Sequence, residues 1–181
     1  VEELLFDDTL SGVPVDHPVF VTALPRSGTT ILLRLLWSTG RFASHTYQDM
    51  PFVLCPLLWR RYTGQFAGEA TTHERAHGDG LDVSETSPEA FEEMVWKHFW
   101  PGHYEGDRIP PWTDDDRDAE FNGFFASHMQ KIVAVRREED AARQRYLSKN
   151  NLNIARLAAP PEPMEGGTFL VPFRAPVQQA A

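Results

Sequence analysis

Short apolar runs alternate with turn residues along most of the chain. Residues 18–24 (PVFVTAL) are an apolar, β-branched run between two prolines, which predicts a buried strand. Turn residues follow at 25–28 (PRSG), and 29–38 (TTILLRLLWS) has helical periodicity that ends before Gly40. We expect one apolar face on this helix, formed by Ile31, Leu32, Leu35 and Leu36.

Further helices are predicted from capping residues and proline positions. Residues 51–62 (PFVLCPLLWRRY) indicate a helix that is kinked or restarted at Pro56. Residues 86–99 (TSPEAFEEMVWKHF) predict a helix in which Ser87 is the cap and Pro88 occupies the first position. A long loop is expected between these two helices.

Two more strands are predicted in the second half of the chain. A helix starting near an acidic run is expected to end at about Arg137, before a short strand at Tyr146–Ser148. Asn150–Leu157 then predicts a helix and Phe169–Phe173 a strand. This order favours an α/β fold, a P-loop-like three-layer domain with a mainly parallel sheet flanked by helices.

The amino-acid composition of the chain excludes several classes of function. The 181 residues are 41% apolar and 24% charged, as in globular proteins. Acidic residues outnumber basic ones by 26 to 17, so we expect no nucleic-acid partner. No apolar run is long enough to cross a bilayer, and Cys55 is the only cysteine, which excludes internal disulfides and thiolate zinc clusters. We expect a cytoplasmic protein consisting of one domain, residues 1–181.

The junction between the first strand and its helix has the chemistry of an anion site. Backbone N–H groups of the loop and of the helix start converge there, and the helix dipole adds positive potential. The candidate donors are Arg26, Ser27, Gly28, Thr29 and Thr30. An ATP-binding P-loop would have glycine at position 23 and lysine at position 29, where this chain has alanine and threonine. The positive charge is instead on the arginine, whose alternative role is purely structural.

The P-R-S-G-T-T sequence after a strand resembles the 5′-phosphosulfate loop of bacterial-type sulfotransferases, which use 3′-phosphoadenosine 5′-phosphosulfate (PAPS). Two other segments resemble the family in the same order. Residues 145–157 (RYLSKNNLNIARL) are similar to its strand-lysine-helix segment, and 169–181 (FLVPFRAPVQQAA) to its 3′-phosphate segment. The family places a serine two helical turns after the arginine of that segment, beyond Ala181, so we expect an incomplete domain that lacks its C-terminal part.

The resemblance implies roles for individual residues. The loop amides of residues 27–30 would hold the 5′-phosphosulfate, and Arg26 would offset charge on the transferring group. Lys149 would bond the bridging oxygen or the sulfonate, and Arg174 would pair with the 3′-phosphate. A solvated lysine at a strand end and an arginine in a surface ion pair are the alternatives. PAPS would be the co-substrate, with no metal required.

The resemblance also implies a base, because related enzymes place a carboxylate one helix and a turn after the loop. Asp49 occupies that position, with His45 as a substitute base. An aspartate just before Pro51 equally suits the cap of the next helix. The acceptor would be a hydroxyl or amine of a small molecule, carbohydrate or peptide.

Two other functions remain open at this stage. Residues 73–77 (HERAH) match the H-E-x-x-H pattern of zinc hydrolases, with His73 and His77 as ligands and Glu74 as base. The flanking window 68–80 has none of the large apolar residues that a buried zincin helix needs. A nucleotide-binding fragment without catalysis is the second alternative.

Overall fold

The computed structural model describes residues 2–63, 73–74 and 82–175. Within these residues the α-helices are α1 (Glu2–Leu5), α2 (Asp7–Leu10), α3 (Thr29–Ser38), α4 (Pro56–Thr63), α5 (Glu93–Phe99) and α6 (Ala119–Glu139). The strands are β1 (Val19–Val21), β2 (Phe42–Ala43), β3 (His73–Glu74), β4 (Asp82–Val83), β5 (Arg145–Lys149) and β6 (Thr168–Leu170). Short 3₁₀ helices cover Tyr47–Phe52, Pro101–Tyr104, Asp114–Asp116, Asn151–Arg156 and Glu162–Met164.

The main sheet is parallel, with the strand order β2-β5-β1-β6. Val19 of β1 is in register with Leu147 of β5 on one side and with Thr168 of β6 on the other. All four strands therefore end at the same edge. A separate antiparallel pair joins β3 to β4.

Alternate residues of β1 point to opposite faces of the sheet, and both faces are covered. Val19 and Val21 pack with Leu33 of α3 and Leu147 of β5. Phe20 points the other way and packs against Tyr146 and Phe169, whose ring centroids lie 6.1 and 5.2 Å from its own. The prediction of a P-loop-like three-layer α/β domain is thus confirmed.

The layer opposite α3 contains the larger core. Helix α6 supplies buried Phe121, Phe125, Met129 and Ile132, and α5 supplies Trp96. The Trp96 ring lies 4.6 Å from that of Phe121. Because α6 also packs on β2 and β5, this core fixes the position of those strand ends.

Helix α3 has the predicted bounds, but its buried face differs from the prediction. Ile31 and Leu35 are 66% and 62% exposed, whereas Leu33 is fully buried. The inward stripe has the helical spacing i, i+3, i+4, i+7 and consists of Thr29, Leu32, Leu33 and Leu36. Leu32 and Leu36 face inward as predicted, whereas the prediction was wrong for Ile31 and Leu35, because the buried face is centred on Leu33.

The helix predicted at residues 86–99 begins later than expected. Glu93, not Pro88, is the first residue of α5. Pro88 forms an antiparallel bridge with Thr46, and the Glu89 N–H donates to the His45 carbonyl at 3.0 Å. This pairing with the chain leaving β2 holds residues 88–89 in an extended form and delays the helix. The restart at Pro56 is confirmed, because α4 begins there.

Within the described ranges, no helix combines the length and the apolar character needed to cross a membrane.

Gly167 lies just before β6 in a space too small for a side chain. A Cβ at this position would lie 2.8 Å from Phe20 Cε2, 3.0 Å from the Met164 carbonyl and 3.1 Å from the Pro18 carbonyl. We expect Gly167→Ala to lower the free energy of unfolding by about 1–3 kcal/mol, measured by urea denaturation.

Gly123→Ala is the matched control. Gly123 lies in α6, and its Cβ would meet nothing within 4 Å. This change should raise stability by about 0.5–1 kcal/mol, because alanine favours the helix. Equal effects of the two substitutions would contradict the packing around Gly167.

Candidate functional site

The loop between β1 and α3 has an unusual backbone. Arg26 has φ +66° and Gly28 has φ +90°, both in the left-handed region. For arginine this conformation costs about 1–2 kcal/mol, and strain of this kind clusters at functional sites. The two turns direct the chain from the buried strand straight into α3.

The N-terminus of α3 opens onto this loop. Gly28 is the N-cap residue and provides no side-chain cap, so the first N–H groups of this ten-residue helix have no intrahelical acceptor. Their partial positive charge adds to the helix dipole. Ser27 and Thr29 are buried, at 7% and 4% exposure, while the Arg26 side chain is exposed. This geometry suits a phosphate or sulfate group.

Hydrogen bonds join the residues that follow β5 to the end of β1 and to the start of α3. The Thr22 Oγ1 donates to the Asn151 carbonyl, and the Thr29 Oγ1 donates to the Asn151 Oδ1, both at 3.2 Å. The Asn150 N–H donates to the Val21 carbonyl at 2.9 Å. Lys149, in register with Val21, is thereby held beside the loop.

Lys149 faces an acidic residue at this edge. Its Nζ lies 4.0 Å from the Glu89 Oε1, and the two side chains are only 13% and 10% exposed. The Tyr47 hydroxyl donates to the Glu89 Oε2 at 2.9 Å. Lys149 is therefore mostly enclosed, unlike the solvated lysine considered from the sequence.

Arg174 reaches the loop from the segment after β6. Its Nη1 donates to the Arg26 carbonyl at 3.3 Å, although the side chain is exposed. Arg26, Lys149 and Arg174 thus come from separate parts of the chain to one edge of the sheet. Their roles in binding and transfer stay predictions.

Asp49 has contacts that suit the capping alternative. It is 3% exposed, and its Oδ2 accepts the Thr46 N–H at 2.7 Å in a capping box. Its Oδ1 accepts from the Arg136 Nη2 at 2.6 Å. Arg136, itself buried in α6, also donates to the Ser44 carbonyl. The carboxylate is held toward α6, and its role as a base stays a prediction.

His45, the substitute base, lies inside the core. Its Nε2 is 2.9 Å from the His128 Nε2 of α6, and both residues are buried. Burial, with a smaller contribution from Arg136, lowers the pKa of His45 to about 3. Burial, followed by His45 and Lys131, also holds the pKa of His128 well below its usual range. The pair is uncharged at neutral pH.

A buried polar network that the sequence analysis did not predict supports the end of β5. Arg156 is fully buried and forms two bonds to Glu93, at 2.9 and 3.1 Å. Its guanidinium carbon lies 3.8 Å from the Trp96 ring centroid and 4.5 Å from that of Trp112. The neighbouring Glu92 accepts from Asn153 at 3.0 Å. The network fixes the turn that follows Lys149.

The H-E-x-x-H match is only partly within the described residues. His73 and Glu74 form β3 and pair with β4, so this part of the motif is extended and not helical. His77 lies outside the described residues. Within the ranges described, no group of three or more histidine, cysteine, aspartate or glutamate residues is arranged to hold a metal ion.

Comparisons with known proteins give one likeness of fold. No protein-family model matches the chain. No curated protein matches it either. Among solved structures, the chain is similar to sulfotransferase STF1 from Mycobacterium tuberculosis H37Rv, with 16% identity and a TM-score of 0.42. The match covers 95% of this chain and 49% of the other, so the chain spans about half the length of that structure. A likeness of this degree carries no information about activity or site residues.

The Asp49–Arg136 pair can be tested by its effect on stability. We expect Asp49→Asn to lower the free energy of unfolding by about 1–3 kcal/mol in urea denaturation, because it removes one of the two carboxylates bonded to the buried Arg136 guanidinium and leaves only Glu139. Asp114→Asn is the control, since Asp114 is 82% exposed in its surface pair. It should change stability by about 0.5 kcal/mol or less. Unchanged stability of Asp49→Asn would contradict the structural assignment.

The buried histidine pair predicts loss of stability in mild acid. The pKa of His45 is about 3 in the folded chain and 6.5 ordinarily, so the unfolded chain binds more protons below pH 6.5. Stability should be full above that pH. It should fall on acidification toward pH 5, with a slope approaching about 1.4 kcal/mol per pH unit for each histidine.

The measurement is urea denaturation at several pH values between 5 and 7.5. His98→Gln is the control, because His98 is exposed, and the acid-side decline should persist in it. A flat profile in the unmodified chain would contradict the neutral buried pair.

Proposed function

We propose that this chain forms the donor-binding part of a PAPS-dependent sulfotransferase, which moves a sulfuryl group to an acceptor hydroxyl or amine by in-line displacement. One observation carries the proposal. The loop before the uncapped N-terminus of α3 contains Arg26, Arg174 donates to the Arg26 carbonyl, and Lys149 ends the strand beside β1, in a chain whose net charge is −9. A local cationic site in an acidic protein fits a highly charged anionic substrate.

The loop would hold the 5′ end of the donor. Backbone N–H groups of residues 27–30 would bond the 5′-phosphosulfate, because those at the start of α3 have no side-chain cap. The Ser27 N–H, which donates to the Leu24 carbonyl at 3.3 Å, would exchange this long bond for one to the donor. The Arg26 guanidinium would neutralise charge on the transferring group, as cations do in phosphoryl transfer. The left-handed backbone at Arg26 supports this role, since it shapes the loop at the site of transfer.

Lys149 and Arg174 would contact other parts of the donor. Lys149, fastened beside the loop, would hydrogen-bond the bridging oxygen and so stabilise its developing charge. Arg174 would form a forked pair with the 3′-phosphate. Its hydrogen bond to the Arg26 carbonyl supports this role, because it brings the segment after β6 into contact with the loop.

The proposed transfer conserves atoms and electrons and needs no oxidant or reductant. A bond forms between the acceptor oxygen or nitrogen and sulfur, while the bond from sulfur to the bridging oxygen breaks. The electron pair of that bond stays on the 5′-phosphate, and the acceptor loses a proton. No metal is required in this scheme. The acceptor would be a small molecule, a carbohydrate or a peptide.

Donor binding can be tested by thermal unfolding with adenosine 3′,5′-bisphosphate or ADP, each with and without magnesium. At about 100 times its Kd, a ligand stabilises the chain by about 2.7 kcal/mol. For a domain of this size the midpoint should rise by roughly 5–11 °C. We expect the larger shift with the bisphosphate, independent of magnesium. A shift with ADP only when magnesium is present would contradict the proposal, as would no shift with either nucleotide.

Arg174→Ala tests the reading of the 3′-phosphate. It should lower bisphosphate affinity and leave ADP affinity unchanged, in titration calorimetry. Arg117→Ala is the control, because Arg117 is in a surface pair with Asp114. An equal loss for both nucleotides in Arg174→Ala would remove the residue from that role. Bisphosphate binding without turnover of any acceptor would favour the inactive nucleotide-binding fragment.

A further inference from the structure

Glu89 lies between the ends of two neighbouring strands at the edge where the loop opens. Its N–H donates to the His45 carbonyl at 3.0 Å, which attaches it to the chain leaving β2. Its Oε1 lies 4.0 Å from the Nζ of Lys149, the last residue of β5. In parallel α/β sheets, substrates bind outside this edge of the strands.

The Glu89 carboxylate is nearly buried and precisely oriented by its neighbours. The residue is 8% exposed, its Oε1 accepts the Ala90 N–H at 2.9 Å, and its Oε2 accepts the Tyr47 hydroxyl at 2.9 Å. A carboxylate is expensive to bury, so its retention beside Lys149 points to a use for it. These bonds also give it a single orientation.

Asp49 and Glu89 are both acids that follow β2 in the chain, but their carboxylates have different partners. The Asp49 carboxylate is bonded to Arg136 on α6 and caps its own 3₁₀ helix. The Glu89 carboxylate instead faces Lys149, which is tied to the phosphate-binding loop through the end of β5. Of these two acids, Glu89 is the one on the side of the sheet edge where transfer would occur.

We infer that Glu89 is the proton acceptor of the reaction, and this inference rests on the proposed function. As the acceptor oxygen bonds to sulfur, its proton passes to a Glu89 carboxylate oxygen and then to water. The electron pair of the broken sulfur–oxygen bond stays on the 5′-phosphate, where Lys149 bonds the same oxygen. Tyr47 is a positioning residue, because it acts through its bond to Glu89.

The acceptor series phenol and 4-nitrophenol tests this role. An ordinary phenol has a pKa near 10 and needs a base at neutral pH, whereas 4-nitrophenol is largely ionised at pH 8 and does not. With PAPS as donor, we expect Glu89→Gln to lower kcat for phenol by about 100-fold or more. The loss for 4-nitrophenol should be at least tenfold smaller than that, by the same reasoning. Sulfated product is measured by mass spectrometry.

Two control variants distinguish a loss of the proton acceptor from a general loss of activity. Glu85→Gln, at an exposed acid four residues away, should leave both rates unchanged. Tyr47→Phe should reduce the phenol rate less than Glu89→Gln does. Equal losses for the two acceptors in Glu89→Gln would overturn the inference and make Glu89 a positioning residue for Lys149.

Different results would contradict the role of Glu89 as proton acceptor and the proposed function. If the unmodified chain binds adenosine 3′,5′-bisphosphate but sulfates neither phenol, the inference is overturned and donor binding stands. If Glu89→Gln loses bisphosphate affinity in calorimetry as well as turnover, the residue belongs to the donor site and the inference is again overturned. Failure of the unmodified chain to bind the bisphosphate contradicts the proposed function itself.

Discussion

The parallel pairing of β1 with β5 on one side and β6 on the other is the constraint on which the site depends. Since parallel neighbours end at the same edge, the pairing of Val19 with Leu147 and with Thr168 brings three distant segments together. The loop after β1, Lys149 at the end of β5 and Arg174 beyond β6 lie at the same edge of the sheet for this reason. Both faces of β1 are buried, so the pairing is supported by the whole core.

Buried ion pairs then fix the strand ends that carry the candidate site. Arg136 of α6 is bonded to Asp49 after β2, and Arg156 is bonded to Glu93 between two tryptophan rings. Each guanidinium is buried and bonded to carboxylates, Arg136 to both Asp49 and Glu139, so loss of one carboxylate would leave a buried donor without its charged acceptor. Glu89 is the acid that the fold places beside Lys149.

Local signals in the sequence were sufficient for the elements around the loop. Helix α3 begins at Thr29 and ends at Ser38 as predicted, since a glycine turn and a glycine stop bound its periodic stretch. Contacts between residues far apart in the chain could not be predicted from the sequence. The bridge between Pro88 and Thr46 delays α5, and Thr29, which bonds Asn151, lies on the same helix face as the buried Leu33, whereas Leu35 is exposed. The Asp49–Arg136 and Glu93–Arg156 pairs join residues far apart in sequence, so no local pattern indicated them.

We propose that the loop after β1 holds the 5′-phosphate of a 3′-phosphorylated nucleotide and that the distant Arg174 holds its 3′-phosphate. A crystal structure of the chain with adenosine 3′,5′-bisphosphate tests it most directly. We expect the 5′-phosphate to be bonded by the backbone N–H groups of residues 27–30 and the 3′-phosphate to be paired with Arg174. A bisphosphate bound away from the N-terminus of α3, or with its 3′-phosphate out of reach of Arg174, would contradict it.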